Sequence, residues 1–333
     1  MQPPIPQWFI PVPPTGEDLL RKDCNYIGIL MLCLTAGMQL SFTLLALALV
    51  AFGVLSPQQL TMENLGLDNT AFLLVYACSY ILAMGLPAVV VSLCSKRRYF
   101  PLSPAKPCSG GVAFWLVLLG VGVCMLANVI TNLLLSFFFW IDIPIPDPPQ
   151  MIVNTPTSLM LGLFVMAVLP ALLEEMVFRG YVLRTLRPYG DGFAILVSAI
   201  LFALMHGNLR QIPFALVVGL VLGWIVTATE NIWLAVAVHF ANNALSVILE
   251  YFGLSMSDSH AAVMNVLVIG LVGLLGFAVA LYTYRRYPWL FEKRGNSPHP
   301  LSLPKALLTA LRAPAFALAL IAFVILTIVG MKI

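Results

Sequence analysis

Apolar residues run in long stretches along this chain, and polar residues gather in the short segments between them. The apolar runs lie at about 25–55, 70–95, 111–140, 157–187, 191–206, 212–229, 231–252, 261–284 and 306–330. Roughly 20 residues are needed to cross the hydrocarbon of a bilayer, so the fifth and sixth runs are short, whereas the first and third are long enough to tilt. The pattern predicts an all-α fold: a polytopic transmembrane helix bundle with an eight-helix core plus a ninth, C-terminal helix. By this reading the chain divides into a proline-rich N-terminal tail (1–24), a membrane core (25–285), a cytoplasmic linker (286–304) and the additional helix (305–333). The tail, MQPPIPQWFIPVPP at its start, has apolar residues too interrupted for a signal-peptide core, and Trp8 and Phe9 suit contact with headgroups.

Basic residues alternate from loop to loop. Arg21 and Lys22 precede the first run, the loop around Glu63 and Asp68 has no Lys or Arg, and the next loop carries Lys96, Arg97, Arg98 and Lys106. The 141–156 loop has only Asp142 and Asp147. Arg184 and Arg187 close the fourth run, and Arg285, Arg286, Lys293 and Arg294 follow the eighth. The positive-inside rule then places the N-terminus in the cytoplasm. Nine spans leave Lys332 outside. Arg210 lies in a turn too tight to decide orientation, and Arg312 is near enough to the cytoplasmic end of its helix to snorkel.

Composition agrees with a membrane setting. Of 333 residues, 61% are hydrophobic and only 9% charged, more apolar surface than a soluble fold of this length can bury. The formal net charge of +3 gives no indication of a nucleic-acid partner. Cys24, Cys33, Cys78, Cys94, Cys108 and Cys124 show no paired spacing, and most read as small hydrophobes.

Within the apolar runs a few polar groups stand out. Glu174, Glu175 and Arg179 fall within six residues in the fourth run. A charge near the bilayer centre costs at least ~2.5 kcal/mol, so each needs a partner or a task. Glu175 and Arg179 are four apart with the acid first, which suits a pair on one helix face. Glu174 points about 100° away, with no basic residue three or four positions to either side. Pro170 removes the donor that would serve the Met166 carbonyl and predicts a kink there. His206 ends the fifth run, four residues after Phe202, and His239 and Asn243 share one face of the seventh. At ~1.5 Å per residue, Glu174 and His206 lie roughly 20 Å from the cytoplasmic ends of their helices, Asn243 slightly less and His239 one turn shallower. Three neighbouring helices would thus converge on one site. Asn128, Asn132 and Asn242 read as interhelical hydrogen bonds, and Gly219 with Gly223 as a helix-packing pair.

Glu174-Glu175-xxx-Arg179, Phe202-xxx-His206 and His239-xxx-Asn243, in that order on successive apolar helices, resemble the three motifs of the CPBP family. This family comprises CAAX prenyl endopeptidases and bacteriocin-processing or self-immunity proteins, and is also called the Abi family. The likeness covers about residues 155–252. It implies an intramembrane endopeptidase with a core of eight helices, often described as a metalloprotease. Carried onto this chain, it implies that Glu174 and His206 activate the attacking water and that His239 and Asn243 stabilise the oxyanion. Glu175 with Arg179 would shape the site, and Phe202, by its own position in the fifth run, reads as packing against the site wall.

Chemical reasoning is compatible with those roles. Peptide hydrolysis without a Ser or Cys nucleophile needs a base for water and donors for the tetrahedral oxyanion. Glu174, His206 and His239 could alternatively hold one zinc ion with an open position, although Glu174 cannot easily be both ligand and base. The expected cofactor is therefore none, or one zinc ion. The expected partners are a peptide or protein substrate, lipid-modified or membrane-embedded ones included, and the bilayer itself. Two other functions use the same residue types. A proton-coupled transporter would show repeats and broken helices in matched halves, and neither is visible. A catalytically silent immunity or scaffold protein would keep the same motifs.

Overall fold

The computed structural model describes residues 15–95, 108–143, 145–146, 153–292 and 297–330. Among them there is no β-strand, and the architecture is a polytopic helix bundle. Helix α1 (Gly16–Ala51) is followed by α2 (Asn69–Cys94), α3 (Gly110–Trp140) and α4 (Pro156–Tyr189). Next come α5 (Asp191–Met205), α6 (Ile212–Thr229), α7 (Ile232–Gly253) and α8 (Asp258–Arg286), and then α9 (Leu303–Leu311) and α10 (Pro314–Gly330).

The first helix begins earlier than the hydropathy pattern predicts. Thr15 caps it and forms a reciprocal capping box with Asp18, satisfying backbone donors that would otherwise be orphaned. Residues 16–24 are therefore helix rather than tail. Leu20, Asp23 and Cys24 are buried in it, and Asp23 accepts a hydrogen bond of 2.8 Å from the Tyr189 hydroxyl at the end of α4. Trp8 and Phe9 lie outside the described residues, as do Lys96, Arg97, Arg98, Lys106, Asp147, Lys293, Arg294 and Lys332.

Among the described residues seven helices are long and apolar enough to cross a membrane, or up to eight if the bent C-terminal pair counts as one span. The nine expected runs differ from this in two places. Helix α5 has 15 residues, so at ~1.5 Å per residue it covers roughly 22 Å, less than the hydrocarbon. The run at 306–330 is not one straight helix. It bends by 84° between α9 and α10, with Arg312 exposed at the bend. Nor is it peripheral, because Ala306, Ala310, Phe316 and Phe323 join the main apolar core. A Cβ on Gly28 would come within 2.3 Å of the Ala315 backbone, so α1 and α10 touch backbone to backbone. Gly122 and Gly276 allow the same close approach of α3 and α8, whose backbones a Cβ on either would overlap.

Helix α4 departs from α geometry twice. Leu163–Val168 and Met176–Leu183 are π-helical, and the α-helical turn between them, Leu169–Glu175, carries Pro170 and both glutamates. Wider π turns are a recurrent device for re-aiming side chains at functional sites. The kink expected at Pro170 is thus taken up by irregular turns on both sides of the acidic pair.

Candidate active site

Glu175 and Arg179 form the expected one-turn pair. Arg179 Nη1 donates to Glu175 Oε1 at 2.9 Å, and both side chains are fully enclosed. Two further contacts surround the guanidinium, while its buried Nε has no hydrogen-bond partner among the described residues. Nη2 donates to the Gly219 carbonyl of α6 at 3.1 Å, and Cζ lies 4.5 Å from the centroid of the Phe202 ring, a cation–π contact. Gly219 is more than a packing residue: a Cβ there would sit 3.0 Å from Ala199 Cα, so only glycine brings this carbonyl in reach of Arg179 without displacing α5.

Phe202 is the ring around which the site is assembled. His206 and His239 both meet it edge to face, with centroids 5.1 and 5.9 Å away, and Phe178 does so from α4 at 5.3 Å. Hydrogen-bond acceptors fix the imidazoles. His206 Nδ1 lies 2.8 Å from the Phe202 carbonyl, and His239 Nδ1 lies 2.9 Å from Glu175 Oε1, so each Nδ1 carries its proton. The Nε2 atoms are left for chemistry. His239 Nε2 is 3.9 Å from Glu174 Oε2.

Glu174 is held from a helix outside the motif region. The Tyr80 hydroxyl of α2 donates to its Oε1 at 2.5 Å, while its Oε2 is buried with no hydrogen-bond partner among the described residues. Tyr76 stacks on Tyr80 one turn away, with centroids 6.2 Å apart and planes at 18°. Sequence reasoning missed Tyr80; its one available signal was a pair of phenols at helical spacing inside an apolar run.

Asn243 lies one turn from His239 and donates through Nδ2 to the Met166 carbonyl at 3.0 Å. This is the carbonyl that Pro170 cannot serve. Its Oδ1 accepts from Asn242 at 3.1 Å, so Asn242 orients its neighbour rather than bridging helices through that bond. Asn128 donates to Cys124 of its own helix, and Asn132 is exposed, lining a cavity of about 580 Å³ with Arg210 and Phe139. The interhelical role expected of these asparagines is not what their contacts provide.

The site therefore gathers Glu174, Glu175, Arg179, Phe202, His206, His239 and Asn243 from α4, α5 and α7, and adds Tyr80 from α2 and the Gly219 carbonyl from α6. Among the described residues no three His, Cys, Asp or Glu side chains come close enough together to hold a metal ion. Glu174, His206 and His239 as arranged do not form such a three-ligand group.

Residues 156–245 match the family model for type II CAAX prenyl endopeptidase, Rce1-like, a segment that holds all three motifs. No curated protein and no solved structure matches the chain. The match agrees with the motif order, the membrane-crossing helices and the convergence of the motif side chains on one buried cluster. Over residues 156–245, this integral multi-pass membrane protein is similar to the type II CAAX prenyl endopeptidases.

Proposed function

We propose that the chain is an intramembrane endopeptidase that hydrolyses a peptide bond with a water activated by Glu174. The observation that carries this reading is the asymmetry of the Glu174 carboxylate. One oxygen is held by Tyr80, and the other is buried, unpartnered and turned toward His239. A carboxylate kept out of bulk water, with one free oxygen, is suited to take a proton from an attacking water.

In this mechanism Glu174 Oε2 accepts the proton as the water oxygen adds to the peptide carbonyl carbon. The charge that develops on the carbonyl oxygen needs donors already in place. Asn243 offers the second N–H of its amide, since the first is engaged by Met166. His239 can donate from Nε2 only when both its nitrogens are protonated, because Nδ1 is committed to Glu175. In that form Glu174 and Glu175 are balanced by Arg179 and His239, so the enclosed cluster carries no net charge. Glu174 then hands the proton it took from water to Nε2 of His206, whose Nδ1 is held by the Phe202 carbonyl. His206 passes that proton to the leaving amine as the C–N bond breaks, which returns the imidazole to its neutral form and leaves Glu174 as its carboxylate.

The substrate class that suits this site is a peptide segment presented at or within the membrane, including one carrying a lipid. The burial of Glu174 and His239 among apolar helices, with His206 and Asn243 half-buried, supports that choice, and the loop charges support a cytoplasmic N-terminus. The test is cleavage of a peptide library, lipidated and unmodified, by the purified chain in nanodiscs with and without chelator. Cleavage by the wild-type chain and none by Glu174→Gln is the expected result. Wild-type-like turnover by Glu174→Gln would remove Glu174 from the mechanism, and metal-dependent turnover would replace the metal-free scheme.

A further inference from the structure

The family match begins at residue 156, yet the closest polar contact of Glu174 comes from residue 80. We propose that Tyr80 is a positioning residue for the catalytic base. By holding Oε1, its hydroxyl sets the rotation of the Glu174 carboxylate so that Oε2, and not Oε1, faces the reacting water. The proposal rests on the endopeptidase reading and extends the working site to a helix outside the matched segment.

Four observations carry it. Tyr80 is buried in α2, and its hydroxyl reaches across to Glu174 from 94 positions away in the chain. The other carboxylate oxygen, Oε2, has no hydrogen-bond partner among the described residues, so the two oxygens are inequivalent. A carboxylate turns freely about its terminal torsion unless one oxygen is tied, and that torsion is broad and two-fold. The phenol is itself fixed by the Tyr76 ring stacked on it. His239 and Arg179 cannot do this work, since both are committed to Glu175 Oε1, and His239 Nε2 stands 3.9 Å from Oε2, beyond hydrogen-bond range.

A residue that fixes the base without touching substrate should affect turnover and leave binding alone. Tyr80→Phe removes the hydroxyl and keeps the ring, its burial and its stack on Tyr76. The expected result is a fall in kcat of about 10- to 100-fold, the range for losing a hydrogen bond to a charged group, with KM changed by less than about twofold. Replacing Tyr80 by 3-fluorotyrosine retains the donor and should restore kcat. A purely structural role would lower the yield of folded protein and leave the kcat of the folded fraction unchanged.

A second measurement does not depend on catalysis. The infrared band of Glu174, identified as the one lost in Glu174→Gln, should shift in Tyr80→Phe. An unshifted band overturns the contact. A shifted band with kcat unchanged overturns the positioning role. A wild-type chain that cleaves nothing in the peptide library overturns the endopeptidase reading and the positioning role with it, while the band still decides the contact.

Discussion

His239 Nδ1 and Arg179 Nη1 both lie 2.9 Å from one atom, Oε1 of Glu175. Glu175 is therefore at once the counter-ion of a fully enclosed arginine and the group that orients an imidazole from another helix. Removing either partner acts on both functions. Breaking a buried ion pair from one side costs about 3–5 kcal/mol, because the remaining charge stays unmatched. Arg179→Ala is expected to lower the yield of folded protein and its melting temperature, read by size-exclusion profile and thermal melt in detergent. Normal folding with only kcat reduced would show that the arginine acts in the chemistry.

Glu174→Gln keeps the size of the side chain and one oxygen for Tyr80 to donate to. Folding should stay close to wild type and cleavage should be lost. A melting curve like the wild type beside zero turnover is the expected pair of results.

Asn243 has two tasks that one substitution removes together and two measurements tell apart. Asn243→Ala frees the Met166 carbonyl, at a stability cost of about 1–3 kcal/mol for a buried acceptor left unpaired. It also removes the proposed oxyanion donor, which should lower kcat by about 100-fold or more with KM little altered. A large rise in KM at unchanged kcat would assign Asn243 to substrate binding. The metal content of His239→Ala, measured beside the wild type, tests the zinc alternative directly: zinc lost with the imidazole would favour it.

Gly219 and Gly223 should differ although their sequence pattern treats them alike. A methyl on Gly219 meets the Ala199 backbone and the Phe202 ring, whereas on Gly223 it meets the Ile195 side chain at 3.3 Å. Gly219→Ala is expected to destabilise by about 1–3 kcal/mol and to reduce turnover by moving the carbonyl that Arg179 uses. Gly223→Ala should be milder on both measures. Equal effects would mean that α6 shifts as a unit.

Orientation is tested by cysteine-accessibility labelling. Arg286 and Asp258 stand at opposite ends of α8, whose 29 residues span about 43 Å at ~1.5 Å each. A label at Arg286 should be cytoplasmic and one at Asp258 external. The reverse result would invert the proposed topology and leave the site geometry untouched.

Much of the molecule was legible from the sequence because helical order is local. Apolar run length marked the membrane helices, and four-residue spacing paired Glu175 with Arg179 before any helix was placed. The covalent ring of Pro170 pointed to the unserved carbonyl of Met166. Local order also misled: an apolar average starting at residue 25 passed over the Thr15–Asp18 capping box, and a continuous apolar run at 306–330 concealed an 84° bend. The contacts that make the cluster a site belong to another level. Tyr80 with Glu174, His239 with Glu175, Asn243 with Met166 and Arg179 with Gly219 join residues from 40 to 94 positions apart. Each depends on how one helix is rotated and how closely it approaches its neighbour. Those quantities are set by side-chain fit along whole helices and by a few glycines where backbones touch, and no short window of sequence contains them.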